Sequence, residues 1–242
     1  MIMVMHKSCR FVLPALAAFV LAACGGSSNN DHTPVVQPPP PPAPVTYSYE
    51  VTVVNLTNGQ PLSPVAVVLH QEGHLWTVGE SASEALELMA EGGDNSEILA
   101  MENVMASASG EAPVGPGHSD TITVSIEDVA DANLSVATML VNTNDAFTGL
   151  DSVDLAELEV GASWSTMSMA YDAGTEANSE LQSTIPGPAA GGNGFDAARD
   201  DVDFVAMHPG VVTKDDGLME SVLTSHHRFD NPVAKIIVTR MQ

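Results

Sequence analysis

Two short segments carry the residue types that hard-cation chemistry needs. Asn142-Thr143-Asn144-Asp145-Ala146-Phe147-Thr148-Gly149-Leu150 and Tyr171-Asp172-Ala173-Gly174-Thr175-Glu176-Ala177-Asn178 each set carboxylates and amides beside a glycine. Each follows a stretch with strand character, so its oxygens fall just past a strand end, where glycine lets the backbone turn. Calcium takes about six to eight oxygens from carboxylates, carbonyls and water at about 2.3 to 2.6 Å, offered by a loop able to wrap it. Two such loops at one end of a β-sandwich supply that set. Asp and Asn are also ordinary turn formers, and residue types alone leave both readings open.

Other chemistries have weaker support. His70-Gln71-Glu72-Gly73-His74 invites comparison with a zinc-protease helix. That motif needs Glu directly after the first His on a continuous helix. Here Glu72 is displaced by one, Gly73 interrupts, and residues 65–69 have strand character. His226 and His227 are adjacent, which points them apart in any regular element. The chain contains no Gly-x-Ser-x-Gly elbow, phosphate loop or dinucleotide fingerprint. The Gly-rich stretch 187–194 has neither a following Lys-Ser nor a helix, and reads as a surface loop. Ser and His occur throughout, but nothing in the sequence positions a triad.

The 242 residues hold 31 Asp and Glu against 7 Lys and Arg. Between Arg10 and Arg199 there is no Lys or Arg at all. Such a surface repels nucleic acid and anionic headgroups, because phosphate binding needs basic side chains to release counterions. Divalent cations are its natural counter-species, and solubility alone is the other account of the charge.

The elements that would position these groups are mostly strands. Residues 47–56 alternate and are rich in β-branched and aromatic side chains, and Thr57-Asn58-Gly59 follows with turn chemistry. Further strands are expected at residues 65–70, 121–126, 134–141, 167–171, 204–207 and 233–240. They are short, separated by Gly, Pro, Asn and Asp, and no long helix alternates with them. That pattern predicts an all-β fold, an antiparallel β-sandwich with a short helical insertion, rather than a parallel α/β sheet. The insertion is signalled by Ser81-Ala82-Ser83-Glu84 as a capping box, Ala85, Leu86, Leu88 and Met89 at helical spacing, and Gly92-Gly93 as the stop. A second helix is expected over residues 96–105, both serving as a cover packed on the sandwich edge.

The N-terminus reads as an address. Lys7 and Arg10 precede 13 uncharged residues, 11–23, a run too short to cross a bilayer as a helix. Leu21-Ala22-Ala23-Cys24-Gly25 resembles the lipobox of bacterial lipoproteins, which implies cleavage after residue 23 and diacylation of Cys24. Two acyl chains anchor stably where one is marginal. Without residues 1–23 the chain keeps 5 basic and 31 acidic residues, a formal charge of −26. Cys9 lies in the removed segment and Cys24 is lipidated, so no thiol remains for a disulfide. Residues 24–46 form a tether whose prolines, 38–42 and 44, favour extended polyproline II. The expected organisation is thus a signal peptide over 1–23, lipidated Cys24 with a Pro-rich tether to 46, and a domain over 47–242. Gly25 in place of the Asp associated with inner-membrane retention favours the outer membrane of a cell envelope.

Within residues 47–242 the chain resembles the spondin domain family, the N-terminal domain shared by F-spondin and mindin. The resemblance rests on Tyr49-Glu50-Val51-Thr52-Val53-Val54-Asn55-Leu56-Thr57, Gln60-Pro61-Leu62-Ser63-Pro64, Asn144-Asp145-Ala146-Phe147-Thr148-Gly149-Leu150-Asp151, Tyr171-Asp172-Ala173-Gly174-Thr175-Glu176 and Asn231-Pro232-Val233-Ala234-Lys235-Ile236. It implies a sandwich similar to C2 domains with Ca2+ at one end. The family's acidic ligands fall on Asp145, Asp172 and, where Asp is usual, Glu176, one methylene longer. Animal members carry disulfides in this domain, and this chain has no Cys after Cys24. The expected function is a membrane-anchored, non-catalytic, calcium-binding module for binding or adhesion, with envelope, matrix or glycan ligands and no nucleic acid. The alternative is a cell-envelope hydrolase using the same acidic end.

Overall fold

Alternation of apolar and polar residues becomes alternation of faces in the first strand, where Tyr49, Val51 and Val53 are fully buried and their neighbours half-buried. The computed structural model describes residues 40–242. The expected signal peptide, Cys24 and most of the tether lie outside these residues. A compact unit runs over Ala43–Gln242. Its strands are β1 (Thr46–Asn55), β2 (Ala66–His70), β3 (Val104–Ser109), β4 (Ser119–Glu127), β5 (Asn133–Met139), β6 (Ala146–Asp154), β7 (Ser163–Ser168), β8 (Ala170–Asp172), β9 (Ala206–Met207) and β10 (Ala234–Arg240).

They form two antiparallel sheets, one of four strands in the order β4-β1-β10-β7 and one of six in the order β3-β2-β5-β6-β8-β9. The expected all-β, antiparallel class is what the chain adopts. Val51, Val53, Ile122, Val124, Ile236 and Val238 of the first sheet meet Val67, Leu69, Leu134 and Val136 of the second in a single core. Each such side chain, taken fully out of water, stabilises the fold by roughly 1.5 to 3 kcal/mol before entropy is counted.

The outer face of the six-stranded sheet is covered as well. Ala66, Val68, Ala137, Met139 and Phe147 pack under Leu86, Met89 and Ala90 of α1 (Glu84–Gly92), Ile98 of α2 (Ser96–Leu99) and Trp76. The helical insertion therefore roofs a sheet face rather than an edge. This explains why all five residues of β2 are buried and alternation disappears there.

Several boundaries differ from expectation. The α1 cap is Ser83, whose hydroxyl accepts from Leu86 N–H, two residues later than the Ser81 of the capping-box pattern. Gly93, at φ 70°, ends the helix as its stop signal requires. The second helix stops at Leu99, and Val104 onward joins β3 instead. The stretch 167–171 is not one strand. The chain leaves the four-stranded sheet at Ser168 and enters the six-stranded sheet at Ala170, with the Met169 carbonyl held by the Thr148 hydroxyl between them.

Candidate functional site

The two acidic segments meet because the strands beside them pair. Ala146 stands opposite Asp172, Phe147 opposite Tyr171, and Thr148 opposite Ala170. Asp145, the residue before β6, is thereby brought beside Asp172, the last residue of β8. The Phe147 and Tyr171 rings stack at 5.4 Å, and Trp76 meets the Phe147 ring edge-on at 5.1 Å. The apolar members of both segments thus lock the register that sets the polar members side by side. Gly149 lies so close to the Val136 carbonyl that a Cβ would collide with it. Gly174, at φ 72°, turns the chain against the Phe204 carbonyl, where a side chain has no room.

Hydrogen bonds then knit the second segment onto the first. Asp145 is fully buried, and its Oδ2 accepts from Thr175 N–H at 2.8 Å, Glu176 N–H at 3.1 Å and the Thr175 hydroxyl at 3.3 Å. Ala173 N–H donates to the Asp145 carbonyl. Asp172 closes its own turn by accepting from Gly174 N–H at 2.8 Å, and its other oxygen accepts from the Asn178 amide at 2.7 Å. Asn144 accepts from Glu180 N–H and donates to the Thr184 hydroxyl. His208, also buried, accepts at Nδ1 from Gly210 N–H, which places its proton on Nε2, 3.2 Å from Asn178 Oδ1 and 4.0 Å from Asp172.

Five carboxylate oxygens are buried without a partner among the described residues: Asp145 Oδ1, Glu176 Oε2 and Glu180 Oε2 in the loop cluster, and Glu87 Oε1 and Glu91 Oε1 on α1. No Lys or Arg pairs with Asp145, Asp172, Glu176 or Glu180 among the described residues. Burial pushes the Asp145 carboxyl up to about 7, with the Asp172 charge adding to the shift. Glu176 is pushed up to about 8 by burial and by the neighbouring charges of Glu91 and Asp145. Glu180 rises to about 7, again by burial first and Asp172 second. Burial moves His208 the other way, below its ordinary value, and so keeps it neutral.

Asp145, Asp172 and Glu176 therefore share one loop cluster. Among the described residues, however, no three or more His, Cys, Asp or Glu side chains converge as a preformed metal group. The donor chemistry fits a hard cation, since the free atoms are carboxylate oxygens, each with lone pairs to offer. Cys24, the expected lipidation site, lies outside the described residues. Glu180 and His208 belong to the cluster and were missed from the sequence. Glu180 Oε1 accepts from Val212 N–H, 32 positions away, and no local pattern announces such a contact. Glu180 also sits at φ 55°, an unusual backbone for a residue with a side chain.

His70, His74, His226 and His227 are held in hydrogen bonds that fasten loops. His70 ends β2 fully buried, with Nε2 2.8 Å from the Ser135 hydroxyl and Nδ1 3.1 Å from the Glu72 carbonyl. Ser135 lies 3.3 Å from Asp151, which binds His74 at 2.6 Å. This has the residue types of a triad, but Ser135 is fully buried and its oxygen also accepts from Ser152 N–H, where the β5–β6 register shifts. The network fastens a bulge and the loop after β2. His226 and His227 cap a loop, His226 binding the Asn58 amide and His227 the Thr224 backbone.

No protein-family model matches the chain, and no curated protein matches it either.

Proposed function

We propose that the chain is a lipid-anchored, non-catalytic module of the spondin type, which binds calcium at the Asp145–Asp172–Glu176 end of its sandwich and presents the domain for extracytoplasmic binding. The observation that carries this reading is the set of buried, unpartnered carboxylate oxygens on Asp145, Glu176 and Glu180. Burying an ionised carboxylate without a partner is costly, and a cation relieves that cost for several of them at once. Asp145 and Glu176 would offer their free oxygens. Asp172 would offer the second lone pair of an oxygen that already accepts one hydrogen bond, with carbonyls and water completing a calcium shell. Calcium here supplies charge compensation and loop order rather than reaction chemistry.

The anchor part of the proposal rests on Leu21-Ala22-Ala23-Cys24. Among the described residues no helix is long and apolar enough to cross a membrane. The hydrolase alternative gains no specific observation. Asp145 is fully buried, and the clefts of about 820, 280 and 370 Å³ are lined by residues other than Asp145, Asp172, Glu176 and Glu180.

The test is thermal unfolding in calcium and in chelator. A ligand bound only by the folded state at about a hundredfold over its Kd adds about 2.7 kcal/mol. For a domain of this size that is a rise of about 5 to 10 °C in Tm. Magnesium gives less, because it demands a tight octahedron and keeps its water. Asp145→Asn and Asp172→Asn each remove most of the calcium shift. Asp120→Asn retains it, since Asp120 lies at the start of β4 and its carboxylate accepts from Thr121 N–H. Equal Tm in calcium and chelator refutes the metal assignment.

A further inference from the structure

The β7 side of the four-stranded sheet ends in an edge that no described strand covers, since β7 pairs with β10 alone. Arg240 N–H donates to the Ala162 carbonyl. Alternation along an antiparallel ladder then makes Val238–Trp164 and Ile236–Thr166 the hydrogen-bonded pairs. The main-chain N–H and C=O groups of Ser163, Ser165 and Met167 consequently turn outward.

Strand edges of soluble proteins are ordinarily guarded by Lys, Pro, a bulge or a covering loop. This one has none of the first three. Residues 162–171 contain no Asp, Glu, Lys, Arg or Pro, in a chain of formal charge −24. The β7–β10 register runs without a shift, and Met167 is 54% exposed. Beside the edge, Trp164 is 40% exposed and borders a cleft of about 370 Å³ formed with Val153, Leu155 and Leu158 and flanked by Asp154 and Glu157. An open ladder next to an apolar pocket is the pair of features that strand addition uses, with main-chain bonds for affinity and a pocket for choice of side chain.

We propose that the β7 edge is a docking site for an extended segment of a partner protein. That segment pairs with Ser163, Ser165 and Met167, places one apolar side chain in the Trp164 cleft, and carries Lys or Arg beside it to face Asp154 and Glu157. Charge selects this occupant over a second copy of the chain. Two copies would bring together two chains of formal charge −24 across an edge whose own residues, 162–171, are uncharged, with only Lys235 and Arg240 of the neighbouring β10 to offset them. The proposal stands without the calcium site, because no residue is shared between them.

The test uses the full chain in detergent and a panel of capped peptides of about nine residues, alternating Thr and Val, with a central Phe, Leu or Trp-free aromatic and two Lys. Trp164 reports the cleft by fluorescence, since the only other tryptophan, Trp76, is buried. Saturable change in Trp164 emission is expected, weakening with salt. Ser165→Pro removes an outward N–H while leaving the β10 ladder whole, and weakens binding at least tenfold with Tm unchanged. Methylating alternate peptide amides has the same effect on the unaltered protein, and this arm decides the matter if the proline variant fails to fold. Absence of binding across the panel, or binding indifferent to both Ser165→Pro and amide methylation, overturns the proposal. Self-association of the full chain that Ser165→Pro abolishes gives the edge to a second copy and overturns the assignment of a partner.

Discussion

Asp145 shows how one residue can be both a structural keystone and a source of instability. Its Oδ2 gathers three donors that fold the Thr175–Glu176 turn onto β6, while its Oδ1 is buried with nothing to bind. The raised carboxyls give the metal-free protein a characteristic response to pH. Asp145, Glu176 and Glu180 sit at about 7, 8 and 7, against ordinary values of 3.8, 4.5 and 4.5. The folded chain therefore holds these protons more tightly than the unfolded chain. Their stabilising contribution is full below about pH 4 and is lost as pH rises through about 7 to 8. In chelator at fixed ionic strength, Tm is expected to fall between about pH 5 and 8, and Glu176→Gln to make that fall shallower. A metal-free Tm that climbs over this range, with no difference in the Gln variant, would show that the cluster is hydrated and ionised throughout. Legibility at this scale was uneven. Asp145, Asp172 and Glu176 are named in the sequence through the segments that resemble the spondin family, whereas Glu180 and His208 join through contacts with segments about thirty positions away.

At the scale of elements, the site depends on the pairing of β6 with β8 and on the glycine that lets β6 lie flat against β5. A Cβ at Gly149 would strike the Val136 carbonyl, a backbone atom that cannot swing aside. Gly149→Ala is expected to cost on the order of 1 to 3 kcal/mol by overpacking. Because the pairing sets Asp145 beside Asp172, the variant should also weaken the calcium shift. Gly115→Ala, whose Cβ would meet only the His118 ring at 3.5 Å, serves as control and stays within about 0.5 kcal/mol. Denaturant unfolding of both variants checks the contrast, and equal stability would mean that β6 can move away from β5. β1 is legible by alternation, Tyr49, Val51 and Val53 standing between half-buried neighbours, while β2 and β5, buried on both faces, are legible as short apolar runs. β6 is hidden because Asn142, Asn144, Asp145 and Gly149 are turn formers, so that 142–150 reads as a loop, although Ala146 to Gly149 are buried strand residues. β3 was hidden by its Ala and Ser content, low in strand propensity and readable as helix. The switch at Met169 was invisible because a chain that passes between sheets keeps its extended backbone, and only the partners change.

The whole molecule carries a formal charge of −24 with few cations to offset it, so two kinds of electrostatics operate together. One is diffuse repulsion among exposed carboxylates, which opposes the compact state and is screened by any salt. The other is local, confined to the buried Asp145–Asp172–Glu176 cluster, and is screened much less because the groups lie out of water. The two can be separated by measuring Tm against sodium chloride in the presence of chelator and again with calcium. The screening length shrinks from about 30 Å at 0.01 M to about 3 Å at 1 M, so sodium chloride alone should raise Tm steadily. If calcium acted only as a better counterion for the surface, its increment would vanish once salt had screened the repulsion. A specific site predicts instead that most of the calcium increment survives at high salt in the unaltered chain and is absent at every salt concentration in Asp145→Asn. An increment that disappears with salt, or that Asp145→Asn preserves, would assign the acidic character of this protein to its surface alone.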